Sequence, residues 1–461
     1  MKRFILSIFA LMACSAALAQ PVMSYEEAEA KANEILKSLT LEEKLSMTQG
    51  HNRFFFPGVP EKGMPYIYTT DASMGVKNKQ HMHDASEIIL AERTTQFPAF
   101  IMLAATFNPD LAYKYGHAVG EEARMAGAGV ILGPGMNIYR NARCGRNFEY
   151  LGEDPYLAAS IIYDYVTGMQ STGTLACAKH FLGNQTEFYR RRSNSIIDER
   201  AIMEIYTPAF KAAIDAGVAT VMTAYNQLNG EWAGESKYVI TDLLRGTLGF
   251  KGMVMSDWNS IYDWKNVILS GQNLDMPGED AFYIKKKPAD LVAEGVVTEK
   301  DIENMIRPTI ATCIRWGLYD RYNSGKQYDR SLEAKLPAHL QISYQTAAEG
   351  TVLLRNNGIL PLAADKKLLV VGKWFDKVPH GGGAARVTGY DHKTLQMELP
   401  KVFGNVEFVA NPTAEQLKAA EVVLCVTGTY DSESSEREFA MDKKDEQFVR
   451  NVVAANPNTI V

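Results

Sequence analysis

Short apolar runs alternate with longer amphipathic stretches along most of this chain, and nearly every apolar run ends in polar residues. Pro65-Tyr66-Ile67-Tyr68 leads to Asp71, and Val130-Ile131-Leu132 leads to Asn137, Arg143 and Arg146. Leu175-Ala176-Cys177-Ala178 runs into Lys179-His180, Val218 to Thr223 into Tyr225-Asn226, and Met253-Val254-Met255 into Asp257-Trp258. Helical periodicity fills the gaps, over 112–126, 156–170 and 201–216. Two amphipathic helices are predicted before the first run, over 25–37 and 42–47, the second capped by Thr40. Strands alternating with helices predict an α/β fold with a parallel sheet. Strands that are apolar in the body and polar at the C-terminal end suit a (β/α)8-type, TIM-like barrel, whose site is built from strand ends and the loops after them. A doubly wound sheet also binds ligands at strand ends. Here the first strand-to-helix loop lacks a Gly-rich fingerprint and five strands contribute polar ends, so the barrel is favoured.

The pattern fades near Tyr319. Residues 321–340 are charged and irregular and read as a linker. A second α/β unit follows over 341–461, with helices predicted over 342–348 and 446–454 and strands over 351–354, 368–371, 406–409 and 422–426. Asn458-Thr459-Ile460-Val461 begins one more strand, so this α/β sandwich domain reads as incomplete and the chain as C-terminally truncated. The barrel is assigned to 20–320. Ahead of it, residues 1–19 read as a signal peptide: Lys2 and Arg3, an apolar centre over 4–13, then Ala17-Leu18-Ala19 before Gln20. Leu11-Met12-Ala13-Cys14 offers a less well-formed lipoprotein reading. Export to the periplasm or beyond is expected, with no membrane span, because no later apolar run is long enough.

The net charge of −6 becomes −6 − 2 = −8 without Lys2 and Arg3, which argues against nucleic acid as a partner. Four cysteines remain after processing, Cys144, Cys177, Cys313 and Cys425. Three lie in apolar runs as small core residues do, and no spacing suggests zinc or a disulfide framework.

The candidate chemistry sits at the strand ends. Asp257 can attack an anomeric carbon, and the Trp258 ring can cover a pyranose face; alternatively, Asp257 caps the next helix. Lys179 and His180 can donate to adjacent sugar hydroxyls, or be a solvated Lys beside a core His. Arg146, in the polar loop 145–155, can fork onto two hydroxyls or hold a catalytic carboxylate ionised. Tyr225 can donate its hydroxyl to such a carboxylate, or be a half-buried core aromatic.

Four segments together, 145–155, 179–184, 221–230 (Val-Met-Thr-Ala-Tyr-Asn-Gln-Leu-Asn-Gly) and 252–258, resemble glycoside hydrolase family 3, the β-glucosidase and β-xylosidase group. Residues 351–362 and Gly381-Gly382-Gly383 resemble the family's second domain. The resemblance implies Asp257 as nucleophile, and Asp71, Arg146, Lys179, His180 and Tyr225 as residues that hold the first sugar, with Trp258 flanking it. It implies an acid/base Glu before Gly-x-Asp-Arg. In Glu433-Ser434-Ser435-Glu436-Arg437 this makes Glu433 the acid/base and Glu436 the fallback. Lys77 stands where the family commonly has Arg, keeping the charge and losing the fork. The hexosaminidase branch takes its acid/base from a His in a Lys-His-Phe-Pro-Gly-His loop; Leu182 and Asn184 argue against that branch.

The expected activity is retaining, exo-acting hydrolysis of terminal β-D-glucosyl residues from oligosaccharides or glucosides, with no metal or cofactor. A β-xylosidase, or a sugar-binding homologue with impaired catalysis, is the alternative. Cationic neighbours are expected to lower the pKa of Asp257, and a poorly solvated loop to keep Glu433 protonated. A nicotinamide-dependent enzyme is set aside, since no Gly-x-Gly-x-x-Gly opens a helix near Gly381.

Overall fold

The structure, a computed structural model, describes residues 21–82, 86–278 and 284–461. The leader-like residues 1–19 lie outside them. The N-terminal domain is a closed barrel. Its continuous sheet runs β1 (Phe55–Phe56), β2 (Ile67–Thr70), β3 (Val130–Ile131), β4 (Leu175–Phe181), β5 (Thr220–Thr223) and β6 (Met253–Met255). From β2 to β6 every pairing is parallel, while β1 is antiparallel to β2. Single bridges complete the ring: Met255 pairs with Leu274, Asp275 with Gln49, and His51 turns back onto Phe55. The barrel therefore has a short reversed stave where a regular (β/α)8 barrel would be parallel throughout.

The helices form where the residue pattern places them. Ser24 and Thr40 start α1 (Tyr25–Ser38) and α2 (Leu41–Ser46) with reciprocal capping boxes. Asn108 and Asp154 cap α3 (Pro109–Ala126) and α4 (Pro155–Gln170), each with proline at the first turn. These two helices cross at glycines: a Cβ on Gly116 would lie 2.1 Å from the Tyr165 carbonyl oxygen, and one on Gly168 would lie 2.1 Å from that of Tyr113. The strand bodies are buried apolar residues, among them Ile131, Ala176, Cys177, Val221, Met253 and Val254. Burial of this kind contributes roughly 25 cal/mol per Å² of apolar surface removed from water.

The second domain carries a parallel sheet of β7 (Lys367–Gly372), β8 (Asn405–Val409), β9 (Val422–Val426) and β10 (Thr459–Ile460), in the order β8-β7-β9-β10. Leu369, Val371, Val423 and Cys425 of the sheet pack with Leu417 and Val452 in a separate small core.

Two expectations fail here. Residues 321–340 are not an irregular linker. They include helices over Leu318–Asn323 and Arg330–Lys335 and the start of α5 (Leu336–Gly350). Some of their polar groups bind barrel carbonyls: the Tyr322 hydroxyl donates to Gly127 O at 2.8 Å and Arg330 to Leu90 O at 3.1 Å. Nor do residues 351–354 form a strand. No described segment pairs with them, and Val352, Leu353 and Leu354 stay exposed. β-Branched and leucine-rich sequence makes a strand only where a neighbour accepts its hydrogen bonds.

Candidate active site

The C-terminal ends of the barrel strands surround a cavity of about 340 Å³. All nine residues expected at the site line it: Asp71, Lys77, Arg146, Lys179, His180, Tyr225, Asp257 and Trp258 from the barrel, and Glu433 from the second domain. A cleft of about 820 Å³ between the domains is larger but mainly apolar, with Phe97, Phe148 and Trp374 in its wall. The two candidate catalytic carboxylates face the smaller cavity.

Local backbone geometry explains how adjacent residues reach one pocket. Side chains alternate along a strand, so Lys179 and His180 would normally point to opposite faces. On β4, however, Ala178 and Phe181 pair with Val221 and Thr223, three steps against two. That extra residue is a bulge, which re-aims side chains, and both Lys179 and His180 line the cavity. Asn137 fixes the bulge by accepting from His180 N at 2.9 Å and donating to His180 O at 2.9 Å. His180 Nε2 then stands 3.5 Å from Asp257 Oδ2. Burial, with Arg146, Lys179 and Arg190 nearby, pushes the His180 pKa well below the usual value, so the imidazole is neutral.

Asp257 follows β6 by two residues and is 6% exposed. Its Oδ1 accepts from the Trp258 backbone N–H at 2.7 Å, and its Oδ2 has no hydrogen-bond partner among the described residues. The helix-cap reading of Asp257 is overturned, because the next helix, Trp264–Ser270, is capped by Asp263. Lys77 reaches back to Asp71 at 3.0 Å, so the two act as a pair. Trp258 packs against Phe54 with ring centroids 5.3 Å apart. Tyr225 is held by its ring, with Arg190 at 4.1 Å and Arg191 at 4.6 Å from the centroid; no described hydrogen bond joins its hydroxyl to Asp257.

Glu433 comes from a loop of the second domain docked on the barrel. Gly145 N donates to Ser435 O at 3.1 Å, Arg437 N to Arg143 O at 3.1 Å, and Ser434 N to Glu187 Oε2 at 2.7 Å. Asn141 and Thr186 both donate to Glu436 Oε1, which makes Glu436 a tether outside the cavity lining and disfavours the fallback. Glu433 Oε2 accepts from Ala384 N at 2.7 Å. Its Oε1 lies 2.9 Å from Arg190 Nη2 and 3.6 Å from Arg146 Nη1. Arg146, 1% exposed, is itself anchored by Glu149 through Nε.

Both expected pKa directions are reversed. The Asp257 pKa is raised: burial outweighs Arg190, Arg146 and Lys179, and the Glu433 charge adds to it. Burial also raises the Glu433 pKa, but Arg146, Arg190 and the Ala384 N–H pull it below the ordinary carboxylate range. Two shared cations therefore favour the charge on the less buried member of the pair over that on the more buried one. Among the described residues, no group of His, Cys, Asp or Glu is arranged to hold a metal ion.

The family model for the glycosyl hydrolase family 3 N terminal domain matches residues 63–307, and that for its C-terminal domain matches 351–461. The chain belongs to glycosyl hydrolase family 3. It is 34% identical to beta-glucosidase BoGH3A of Bacteroides ovatus over 366 residues, 75% of this chain and 48% of that protein. It is 33% identical over 459 residues to an exo-alpha-(1->6)-L-arabinopyranosidase of Bifidobacterium longum, covering 92% of this chain and 59% of that one. The solved structure of beta-glucosidase 3B from Thermotoga neapolitana in complex with glucose superposes with a TM-score of 0.82 at 27% identity, over 92% of this chain and 67% of that one. The chain thus spans about half the length of the curated relatives it matches. The family's architecture, a TIM-like barrel followed by an α/β sandwich domain, is the one described above.

Several cavity or supporting residues were not anticipated. Arg53 and Phe54 reach the cavity from the hairpin that closes the barrel, where Asn52 and Arg53 both have positive φ. Arg190, Arg191 and Glu187 sit on the loop after β4. Three consecutive arginines at 190–192, beside the aromatic pair Phe188-Tyr189, were the available signal.

Proposed function

We propose that this chain is a retaining, exo-acting β-glycosidase that releases terminal β-D-glucosyl residues from oligosaccharides or glucosides. The observation that carries the reading is the convergence of Asp257 and Glu433, from separate domains, on one cavity bounded by Asp71, Lys179 and His180. Asp257 Oδ2, free of hydrogen bonds among the described residues, attacks the anomeric carbon while Glu433 protonates the departing oxygen. Glu433 then draws a proton from the water that releases the sugar. Retention requires the two carboxyl groups about 5–5.5 Å apart. Asp71, Lys179 and His180 hold the sugar hydroxyls, Arg146 positions Glu433, and Trp258 covers the sugar face.

Glucose is favoured because the relatives include several beta-glucosidases. The arabinopyranosidase relatives, which carry their name from a pentopyranose, support a pentoside as the second reading, xylose included. The test is hydrolysis of nitrophenyl β-glucoside, β-xyloside and α-L-arabinopyranoside by the wild type and Asp257→Ala. The expected result is preference for the glucoside, net retention by NMR, and a loss of about 10³-fold or more in kcat for Asp257→Ala. Undiminished turnover by Asp257→Ala would sink the nucleophile assignment, and a first product of inverted configuration would sink the two-step mechanism. From residues 1–19 we also infer export; a mature N-terminus at Gln20 is the expected finding, and an unprocessed chain in the cytoplasm would contradict it.

A further inference from the structure

The contacts of Glu433 oppose the protonation that acid catalysis requires. Productive attack needs Asp257 ionised and Glu433 protonated, yet each oxygen of Glu433 faces a donor that favours its charged form. Oε2 is taken by the Ala384 N–H and Oε1 by Arg190. The Ala384 donor is backbone and can leave only if its loop moves. Arg146 is anchored on Glu149 and approaches Oε1 only to 3.6 Å. Arg190 is the partner that has somewhere else to go. Its Nη1 already donates to Glu187 Oε2 at 2.8 Å, while Glu187 Oε1 is buried without a hydrogen-bond partner among the described residues. Buried carboxylate oxygens are rarely left unpaired, and a guanidinium prefers to engage both oxygens of one carboxylate.

We infer that Arg190 is a two-seat clamp: it pairs with Glu433 and turns wholly onto Glu187 when substrate enters, removing from Glu433 the charge that opposes its protonation. The inference rests on the retaining reading above. Released from the clamp, the Glu433 carboxylate takes up a proton from solvent water. It passes this proton to the glycosidic oxygen as the bond from that oxygen to the anomeric carbon breaks and the bond from Asp257 Oδ2 forms. The Tyr225 ring, 4.1 Å from the guanidinium, provides a face along which the planar group can slide while keeping its cation–π contact. Groups acting on Glu433 are Arg146, Arg190 and the Ala384 N–H, with Asp257, Glu187 and Tyr225 in charge range. Those acting on Glu187 are Arg146, Arg190, the Ser434 N–H, Glu433, Cys144 and Tyr150. Burial raises the pKa of Glu187 even with both arginines near, as fits a seat not fully occupied. Arg190 and Glu187 are positioning residues, acting through Glu433.

The test compares pH profiles of kcat/KM for the wild type, Arg190→Gln, Glu187→Gln and the double variant, on an alkyl glucoside and on dinitrophenyl glucoside. The second substrate needs little acid assistance. Gln at 187 still accepts from Ser434 N, so loop docking is preserved. Arg190→Gln is expected to move the basic limb up by about one pH unit, and Glu187→Gln to move it down by a similar amount. Glu187→Gln should also cut the alkyl-to-dinitrophenyl rate ratio about tenfold or more, since general acid catalysis is what that ratio reads. The double variant should match Arg190→Gln alone, because the second seat matters only to a clamp that is present. Unmoved limbs, limbs moving in the same direction, or additive effects overturn the clamp. Should a variant fail to fold, a crystal structure of the wild type with an iminosugar decides: both Nη atoms on Glu187 support the exchange, and Arg190 still on Glu433 overturns it. Asp257→Ala is assayed alongside. Retained turnover there discards the retaining reading itself, whereas lost turnover with unmoved limbs discards only the clamp.

Discussion

At the level of single residues, the cavity is a set of charges whose protonation is decided by a few neighbours. Asp257 is the clearest case. Burial lifts its pKa, and Arg190, Arg146 and Lys179 limit the rise. The acid limb of activity, where the nucleophile loses its charge, should therefore lie above the usual aspartate value of about 3.9. Removing a cation favours the neutral acid, so Lys179→Met should shift that limb to still higher pH, besides weakening substrate binding. The profile of kcat/KM reads this directly, and a limb that stays or moves lower would contradict it. Asn137 acts on geometry instead. Asn137→Ala leaves the His180 N–H and C=O without their partner inside the barrel. A cost of about 1–3 kcal/mol in unfolding free energy is expected, with reduced glucoside turnover. Denaturant unfolding of the variant checks it, and unchanged stability would mean that the bulge is held by other contacts.

Elements explain what single residues cannot, namely how two domains present one site. The loop 432–437 lies on barrel loop 141–149 so closely that a Cβ on Gly145 would fall 2.3 Å from the carbonyl oxygens of Ser432 and Ser435. Those atoms are backbone and have no rotamer through which to yield. Gly145→Ala should push the loop away, displace Glu433, and lower kcat on alkyl glucosides about 10²-fold or more while the barrel stays folded. Wild-type kcat in this variant, or a collapse of thermal stability instead, would count against that role for Gly145. This scale also shows where sequence reading succeeds and fails. The strand bodies and their polar ends were legible because one segment carries both the apolar period and the chemistry, as in Met253-Val254-Met255 followed by Asp257. The ring closure was not, because Gln49 and Leu274 contribute one bridge each and one residue has no period. The helices over 321–340 were hidden by charged side chains, of which Arg321 and Arg330 bind barrel carbonyls. Arg190 and Glu187 were missed because a loop residue acquires its role from partners distant in sequence, here Ser434 and Glu433.

For the molecule as a whole, the question is what keeps the second domain in place, since its sheet has a core of its own. Besides the docked loop, another anchor is α5, which leads from the barrel into that domain. His339 on α5 is wedged between two carboxylates of α3, with Nε2 2.9 Å from Glu121 and Nδ1 3.0 Å from Glu122. Ser343, one turn further on, donates to Gln96 O at 3.2 Å. Burial alone would lower the His339 pKa, but hydrogen bonds and charge from Glu121 and Glu122 dominate and raise it to about 9. The sign follows from linkage. A group whose pKa is raised by folding contributes stability that is fully present below its unfolded value, about 6.5, and is lost as pH rises through the folded value. The strut should therefore be worth on the order of 2 kcal/mol near neutrality and fade between about pH 7 and pH 10. His339→Gln lacks the charge at every pH, so its Tm should lie below that of the wild type at pH 6.5, with the gap closing by pH 10. If α5 sets the position of the second domain, wild-type turnover should fall reversibly over the same window beyond the loss seen in the variant. Thermal unfolding of both proteins across this range is the measurement, and a gap in Tm that stays constant from pH 6.5 to pH 10 would show that His339 contributes packing rather than charge.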